Sequence, residues 1–278
     1  MSRRIKFLKK LAKVFLGRAT VVEIMPLTFV GWKMATGTQT PWSDGGGNQR
    51  SRFFAECEHR LSNLIAKREI CLSQFKQENV DSEVTALRWR HYFVHWTASE
   101  SARLLGKEQK NFVELGVCDG LTAWFAAAAR LESQCDGQFY LYDAWAGMRE
   151  DLLTSTEKTS AGSYSYLSLE KTQRNLALSG ASDFIFNKGY LPESFSTCQN
   201  PETVAWLHID LNSALPTIAA LNFFWDRIIA GGIVLFDDFA WPGYEDTCKQ
   251  IEAWSDERGI AILHLPTGQA MIIKRANL

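Results

Sequence analysis

Three acids, Asp210, Asp237 and Asp238, directly follow two short apolar runs, Ala205 to Ile209 and Ile233 to Phe236. One such acid is commonplace, and a pair often caps a helix. Three at one rim make an oxygen-only donor set, which suits a hard divalent ion such as magnesium that keeps several waters and accepts a further oxygen. Such an ion lowers the pKa of a bound hydroxyl and fixes its position. Asp210 is then a candidate catalytic base as well as a metal ligand, the alternative being that all three acids are structural. His208 shares the strand face of Asp210 by two-residue alternation, and a buried, satisfied histidine is its expected role.

A second constellation opens at Phe112-Val113-Glu114-Leu115-Gly116-Val117-Cys118-Asp119-Gly120, where an apolar strand turns into a helix. Ligands of open α/β sheets bind where strand ends meet helix N-termini. Gly116 and Gly120 permit close backbone approach there, and Thr122 offers a hydroxyl to a carboxylate. A dinucleotide loop needs a glycine where this chain has Cys118, so pyrophosphate cradling is disfavoured. Glu114 suits an ammonium group better than a phosphate. The next strand ends Leu141-Tyr142-Asp143, with a carboxylate where a ribose diol would be held. Asn187-Lys188-Gly189-Tyr190 forms another turn at the same rim, read equally well as a binding turn at Gly189 or an ordinary one.

These residues need a scaffold, and from Asn111 onward short apolar runs alternate with amphipathic ones, the pattern of a parallel sheet covered by helices on both faces. Strands are expected at Phe112 to Val117, Phe139 to Tyr142, Asp183 to Asn187, Ala205 to Ile209 and Ile233 to Phe236. Helices are expected at Leu121 to Glu132, Leu169 to Leu178, Leu215 to Ile229 and Glu245 to Arg258. Ile260 to Leu265 and Ala270 to Lys274 are separated by Pro266-Thr267-Gly268, too short for a crossover, so a hairpin closes the sheet. Upstream, helical patterning covers Arg52 to Ser73 and Val84 to Leu105. Residues 1–50 are thus read as an appendage, 51–110 as a helical preface and 111–278 as the core.

Between Ala144 and Ser168 a long polar and aromatic segment has the length of a lid. Phe239-Ala240-Trp241-Pro242-Gly243-Tyr244 is a second candidate wall. Trp145 and Trp241 are read equally as contacts to a ring or as core filling.

In the order and spacing of Val113-Glu114-Leu115-Gly116-Val117 with Gly120, Tyr142-Asp143, Lys188-Gly189, His208-Ile209-Asp210 and Gly231 to Asp238, the chain resembles the macrocin O-methyltransferases. More distantly it is similar to the catechol O-methyltransferases. The likeness covers roughly residues 110 to 275. It implies an α/β, Rossmann-like class I methyltransferase sheet of five parallel strands plus an antiparallel C-terminal pair, preceded by a helical N-terminal appendage. It further implies S-adenosylmethionine held by Glu114, Gly116, Thr122 and Asp143, with Asp143 on the ribose, and magnesium on Asp210, Asp237 and Asp238. The catechol enzymes usually take the acceptor proton with a lysine three residues after the first metal acid; Ser213 stands there, which favours an Asp-based mechanism. The expected function is methyl transfer to a hydroxyl of a sugar, glycosylated natural product or other small molecule. The rivals are a metal-independent methyltransferase, a nicotinamide-dependent oxidoreductase and a non-catalytic binding module.

A net charge of -1 and 22% charged residues give no global field for nucleic acid. Six cysteines without zinc spacing fit a reducing, cytoplasmic setting. No apolar h-region or cleavage site follows Met1, so no secretory signal is expected. Residues 1–18 read as a basic amphipathic helix, with Ile5, Leu8, Leu11 and Phe15 opposite Lys6, Lys9, Lys10 and Lys13. That face can dock on an anionic membrane or acidic partner, or pack on the protein's own core or on a second copy in a homo-oligomer.

Overall fold

The computed structural model describes residues 52–276 apart from 77, 105, 107 and 108. The basic helix expected over residues 1–18 lies outside the described residues. Helices α1 (Arg52–Ala66), α2 (Val80–Ala86) and α3 (Arg88–Ala102) precede the sheet. Strands β1 (Phe112–Leu115), β2 (Phe139–Asp143), β3 (Phe184–Lys188), β4 (Val204–Ile209) and β5 (Ile228–Phe236) are joined by α4 (Leu121–Glu132), α5 (Leu169–Ala177) and α6 (Ala214–Phe224) among their connections. Helix α7 (Glu245–Asp256) and strands β6 (Leu263–His264) and β7 (Ala270–Ile273) complete the described elements.

The sheet order is β3-β2-β1-β4-β5-β7-β6, with the first five strands parallel and β7 antiparallel to both its neighbours. Two-residue alternation divides the core. Phe112, Leu141, Trp206 and Leu235 face a layer holding Phe54, Val94 and Phe125 from α1, α3 and α4. Val113, Leu115, Tyr142 and Leu207 face Leu221, Phe224 and Trp254 from α6 and α7. The strand order reverses between β1 and β4, and the carboxyl ends of these two strands open a crevice at the position where this architecture binds ligands.

The five parallel strands, the hairpin and helices on both faces match the expected architecture, while several boundaries differ. Strand β5 begins at Ile228, because Ile228 already pairs with Val204 before a register shift; Gly231, at φ +82°, interrupts an otherwise apolar run. The helix expected to reach Ile229 therefore ends at Phe224. Helix α1 stops at Ala66, seven residues early, where Arg68 turns left-handed at φ +58° and Glu69 N–H donates to Leu64 O at 2.9 Å. The second preface helix is two, broken at Leu87. Among the described residues no helix is long and apolar enough to cross a membrane.

Candidate functional site

A cavity of about 340 Å³ lies over the crevice, within the size range of small-molecule sites. Residues just past every parallel strand border it: Gly116 after β1, Asp143 ending β2, Gly189 after β3, Asp210 after β4, and Asp237 and Asp238 after β5. Gly116 has φ +85°, and a Cβ there would sit 1.8 Å from the backbone oxygen of Asp210. Its glycine thus lets the ends of β1 and β4 converge. Gly189, at φ +155°, likewise has no room for a Cβ, which would meet Ser194 Cβ at 2.8 Å.

Asp143 clamps the β1 turn. Its Oδ2 accepts from the N–H groups of Val117 and Cys118, each at 2.8 Å, and its Oδ1 accepts from Trp145 N–H at 2.6 Å. Burial raises its pKa, and the three amides oppose that rise. Oδ2 is thus saturated by two donors, while Oδ1 keeps a second lone pair for a ligand.

The expected cofactor contacts divide. Gly116, Asp143 and Gly189 border the cavity, whereas Glu114 and Thr122 do not. Thr122 Oγ1 donates to Glu114 Oε1 in the layer beneath, where Glu114 is fully buried. Glu114 instead faces His208, whose Nδ1 is 3.7 Å away, while His208 Nε2 is 3.6 Å from Asp237. His208 is buried but not hydrogen-bond satisfied: neither ring nitrogen has a partner within hydrogen-bond distance. Burial pulls its pKa down, but Asp237 and Glu114 outweigh burial and hold the imidazole at about 10, so it is a buried cation.

Asp210, Asp237 and Asp238 do converge, with carboxylate oxygens within 4.8 Å of one another. A residue that sequence reasoning missed stands among them. Arg90, from α3, donates through Nε to both oxygens of Asp237 at 2.8 Å and through Nη2 to Asp210 Oδ2 at 2.8 Å. Asn212 Nδ2 donates to Asp210 Oδ1 at 3.2 Å, Asn212 N–H to Asp238 Oδ2 at 3.0 Å, and Gln269 Nε2 to Asp237 Oδ1 at 2.9 Å. Burial, then the charge of Asp237, raises Asp210 to about 6 against the pull of Arg90. Burial and the charges of Asp210 and Asp237 push Asp238 well above the usual range. Burial also opposes ionisation of Asp237, yet Arg90 and His208 hold its carboxyl below that range.

The magnesium implied by resemblance does not fit this arrangement. The oxygens it needs already accept from Arg90, Asn212 and Gln269. Like unit charges 4 Å apart repel by about 4 kcal/mol at an effective dielectric of about 20, twice that for a divalent ion, and a guanidinium cannot deprotonate to make way. A sulfonium cofactor fits better, because the cavity offers carboxylates to its positive charge and aliphatic walls such as Leu153, Leu191 and Leu211 to an apolar ring.

The lid segment covers the cavity with Met148, Leu152 and Tyr164. It is pinned by Glu157, which is buried and accepts from Thr154 N–H, Ser213 Oγ and Ala214 N–H at 2.9, 3.0 and 2.9 Å, at the N-terminus of α6. Tyr164 and Tyr244 both donate to Asn212 Oδ1, at 3.0 and 2.6 Å, linking the lid and the segment after β5 to Asp210. Trp145 is core: 4% exposed, its Nε1 donates to Thr172 Oγ1 at 2.9 Å. Trp241 packs beside Gly268, away from the cavity wall.

A family described as a methyltransferase domain matches residues 113–239. No curated protein matches the chain. Among solved structures, the O-methyltransferase NovP aligns with TM-score 0.56 and 17% identity, covering 67% of this chain and 79% of its own. The calicheamicin methyltransferase CalS11 aligns with TM-score 0.54 and 15% identity, covering 84% of this chain and 93% of its own. At those identities the likeness is one of fold. The matched segment runs from β1 to the acids after β5 and thus spans the whole cavity floor. With that match on this sheet order, residues 113–239 are a methyltransferase domain with the Rossmann-like fold of the class I S-adenosylmethionine-dependent enzymes.

Proposed function

We propose that the enzyme methylates a hydroxyl oxygen of a small, uncharged, polyhydroxylated molecule such as a sugar or glycosylated natural product, with Asp210 as the base. The observation that carries this reading is the position of Asp210 beside the junction of two hollows. The second hollow, about 420 Å³, shares Met148, Tyr164 and Asn212 with the first and is walled by Ser160, Ser163, Ser165, Tyr166 and Tyr244. Such a wall offers hydrogen bonds and ring faces without a charge, which suits a neutral polyol. The names of NovP and CalS11, an O-methyltransferase and a methyltransferase of calicheamicin, support the same acceptor class.

The bound cofactor supplies a methyl group on a sulfonium. Gly116, Asp143 and Gly189 hold and orient that cofactor at the strand ends. Asp210 takes the acceptor's proton while the acceptor oxygen forms the new C–O bond; the C–S bond breaks and its electron pair stays on sulfur as a neutral thioether. A base with a pKa of about 6 is matched to work near neutrality. The hydrogen bonds of Arg90 and Asn212 keep the Asp210 carboxylate oriented.

Incubation with methyl-labelled S-adenosylmethionine and a panel of glycosides, compared with amines and thiols, tests the reading. Label should enter an ether oxygen, and Asp210→Asn should reduce turnover at least about 100-fold with cofactor affinity retained. Label on nitrogen, or full turnover in Asp210→Asn, refutes it.

A further inference from the structure

We propose that Arg90 is a built-in cation that takes the place of a divalent metal at the acid rim. Two independent observations carry this. The first is geometric: the oxygens of Asp210, Asp237 and Asp238 lie within 4.8 Å of one another, a spacing suited to a metal, and the guanidinium of Arg90 lies between Asp210 and Asp237. Its side chain is 13% exposed and borders the cavity, so the charge is applied at the site and weakly screened. The second is beneath the rim, where fully buried His208 lies between Asp237 and Glu114 with no hydrogen-bond partner on either nitrogen. Asp237 is thus flanked on both sides, by Arg90 from the helical preface and by His208 from the sheet. A metal on Asp237 would have to displace the first and approach the second.

Arginine suits this task better than lysine. Its planar fork engages two carboxylates at once, and it stays charged at any pH the enzyme meets. Here it acts as a positioning residue. It fixes one oxygen of Asp210 and leaves the carboxylate at the cavity wall, and it supplies positive charge beside the acceptor oxygen as that oxygen loses its proton. The helical preface is then part of the active site and not merely a cover for the sheet.

The inference rests on the methyl-transfer reading, but its test does not need the acceptor. Mn²⁺ binding to the full chain is followed by electron paramagnetic resonance, with cofactor binding to the same samples measured by calorimetry. Wild type should leave Mn²⁺ free. Arg90→Ala, which uncovers the three acids, should bind one Mn²⁺ at least about 100-fold more tightly than wild type, and Arg90→Lys should bind less than Arg90→Ala. If Arg90→Ala shows no cooperative melt, Arg90→Gln, which keeps a donor for Asp237, serves for the same comparison. Stoichiometric Mn²⁺ binding by wild type that is lost in Asp237→Asn overturns the proposal, as does an Arg90 variant that folds and gains no Mn²⁺. Failure of wild type to bind S-adenosylmethionine would instead undermine the methyl-transfer reading, whatever the Mn²⁺ result.

Discussion

Replacing Gly116 with alanine tests how the end of β1 meets the end of β4. The residue has φ +85°, and its new Cβ would lie 1.8 Å from the Asp210 carbonyl oxygen and 2.7 Å from the carbonyl carbon. Real Cβ contacts stay beyond 3.0 Å, so one backbone must move by at least 1.2 Å (3.0 minus 1.8). The carbonyl has little freedom to move, because Asp210 N–H is tied to Leu115 O at 2.8 Å. A left-handed non-glycine residue costs about 1–2 kcal/mol, and forced overpacking adds about 1–3 kcal/mol. The sum is about 2–5 kcal/mol, or a fall in melting temperature of about 4–20 °C at about 2–4 °C per kcal/mol for a chain of this size.

Gly162 supplies the control, since it has φ +78° and nothing within 4 Å of its hypothetical Cβ. Gly162→Ala should show the left-handed cost alone, partly offset by the lower entropy of the unfolded alanine chain. The assay is thermal unfolding by circular dichroism, with calorimetric titration of S-adenosylmethionine on the same proteins. Gly116→Ala should melt clearly lower and bind the cofactor more weakly, because the Gly116 turn that borders the cavity is itself displaced. Equal melting temperatures for the two variants would refute the reasoning, since they share a backbone conformation and differ in what the Cβ meets.

Glu157→Ala should loosen the lid: the helix N–H of Ala214, the Ser213 hydroxyl and the Thr154 N–H lose a buried anion, a cost of about 3 kcal/mol. Trypsin should then cut at exposed Lys158 several-fold faster, and an unchanged cutting rate counts against the latch. His208, held at about 10 when folded against an ordinary 6.5, contributes stability that is fully present below pH 6.5 and lost as pH rises through 10. The melting-temperature gap between wild type and His208→Gln should therefore be widest near pH 6 and narrow toward pH 10; a constant gap sinks the charged-histidine assignment.

How far the sequence could be read depended on whether a signal was local. Helix α4 runs from Leu121 to Glu132 as expected, because a left-handed Gly120 starts it and its apolar run sits between two strands. The acids at Asp210, Asp237 and Asp238 converge as expected, since each follows a strand of one parallel sheet and must emerge at the same edge. Arg90 was not legible. It lies 120 residues before Asp210, in Arg88-Trp89-Arg90, a stretch that reads as an ordinary solvated helix face, and nothing local to it signals a partner that far away. Glu114 and Thr122 stood out in the sequence as two separate ligand contacts, and the hydrogen bond between them was not legible. Strand parity puts Glu114 on the face of Phe112, toward α3 and α4, so its carboxylate turns to Thr122 and His208 beneath the rim.

The backbone itself marks the site in a way composition cannot. Four of the six non-glycine residues with positive φ among those described, Cys118, Trp145, Tyr164 and Asn212, border the cavity or directly adjoin its lining. At about 1–2 kcal/mol each, such strain persists only where surrounding contacts fix it. Those contacts can be named. Asp143 holds the Cys118 and Trp145 amides, Thr172 holds the Trp145 indole, and Asn212 is held through its own N–H by Asp238 and through its side chain by Tyr164 and Tyr244. The same hydrogen bonds orient the carboxylate of Asp143 and, through Asn212, that of Asp210, the two acids proposed as cofactor contact and base. Relaxing Cys118, Trp145 or Asn212 to an ordinary conformation would therefore release strain and at the same time shift the carboxylate of Asp143 or Asp210. The strained backbone and the orientation of these two acids are thus maintained by the same contacts.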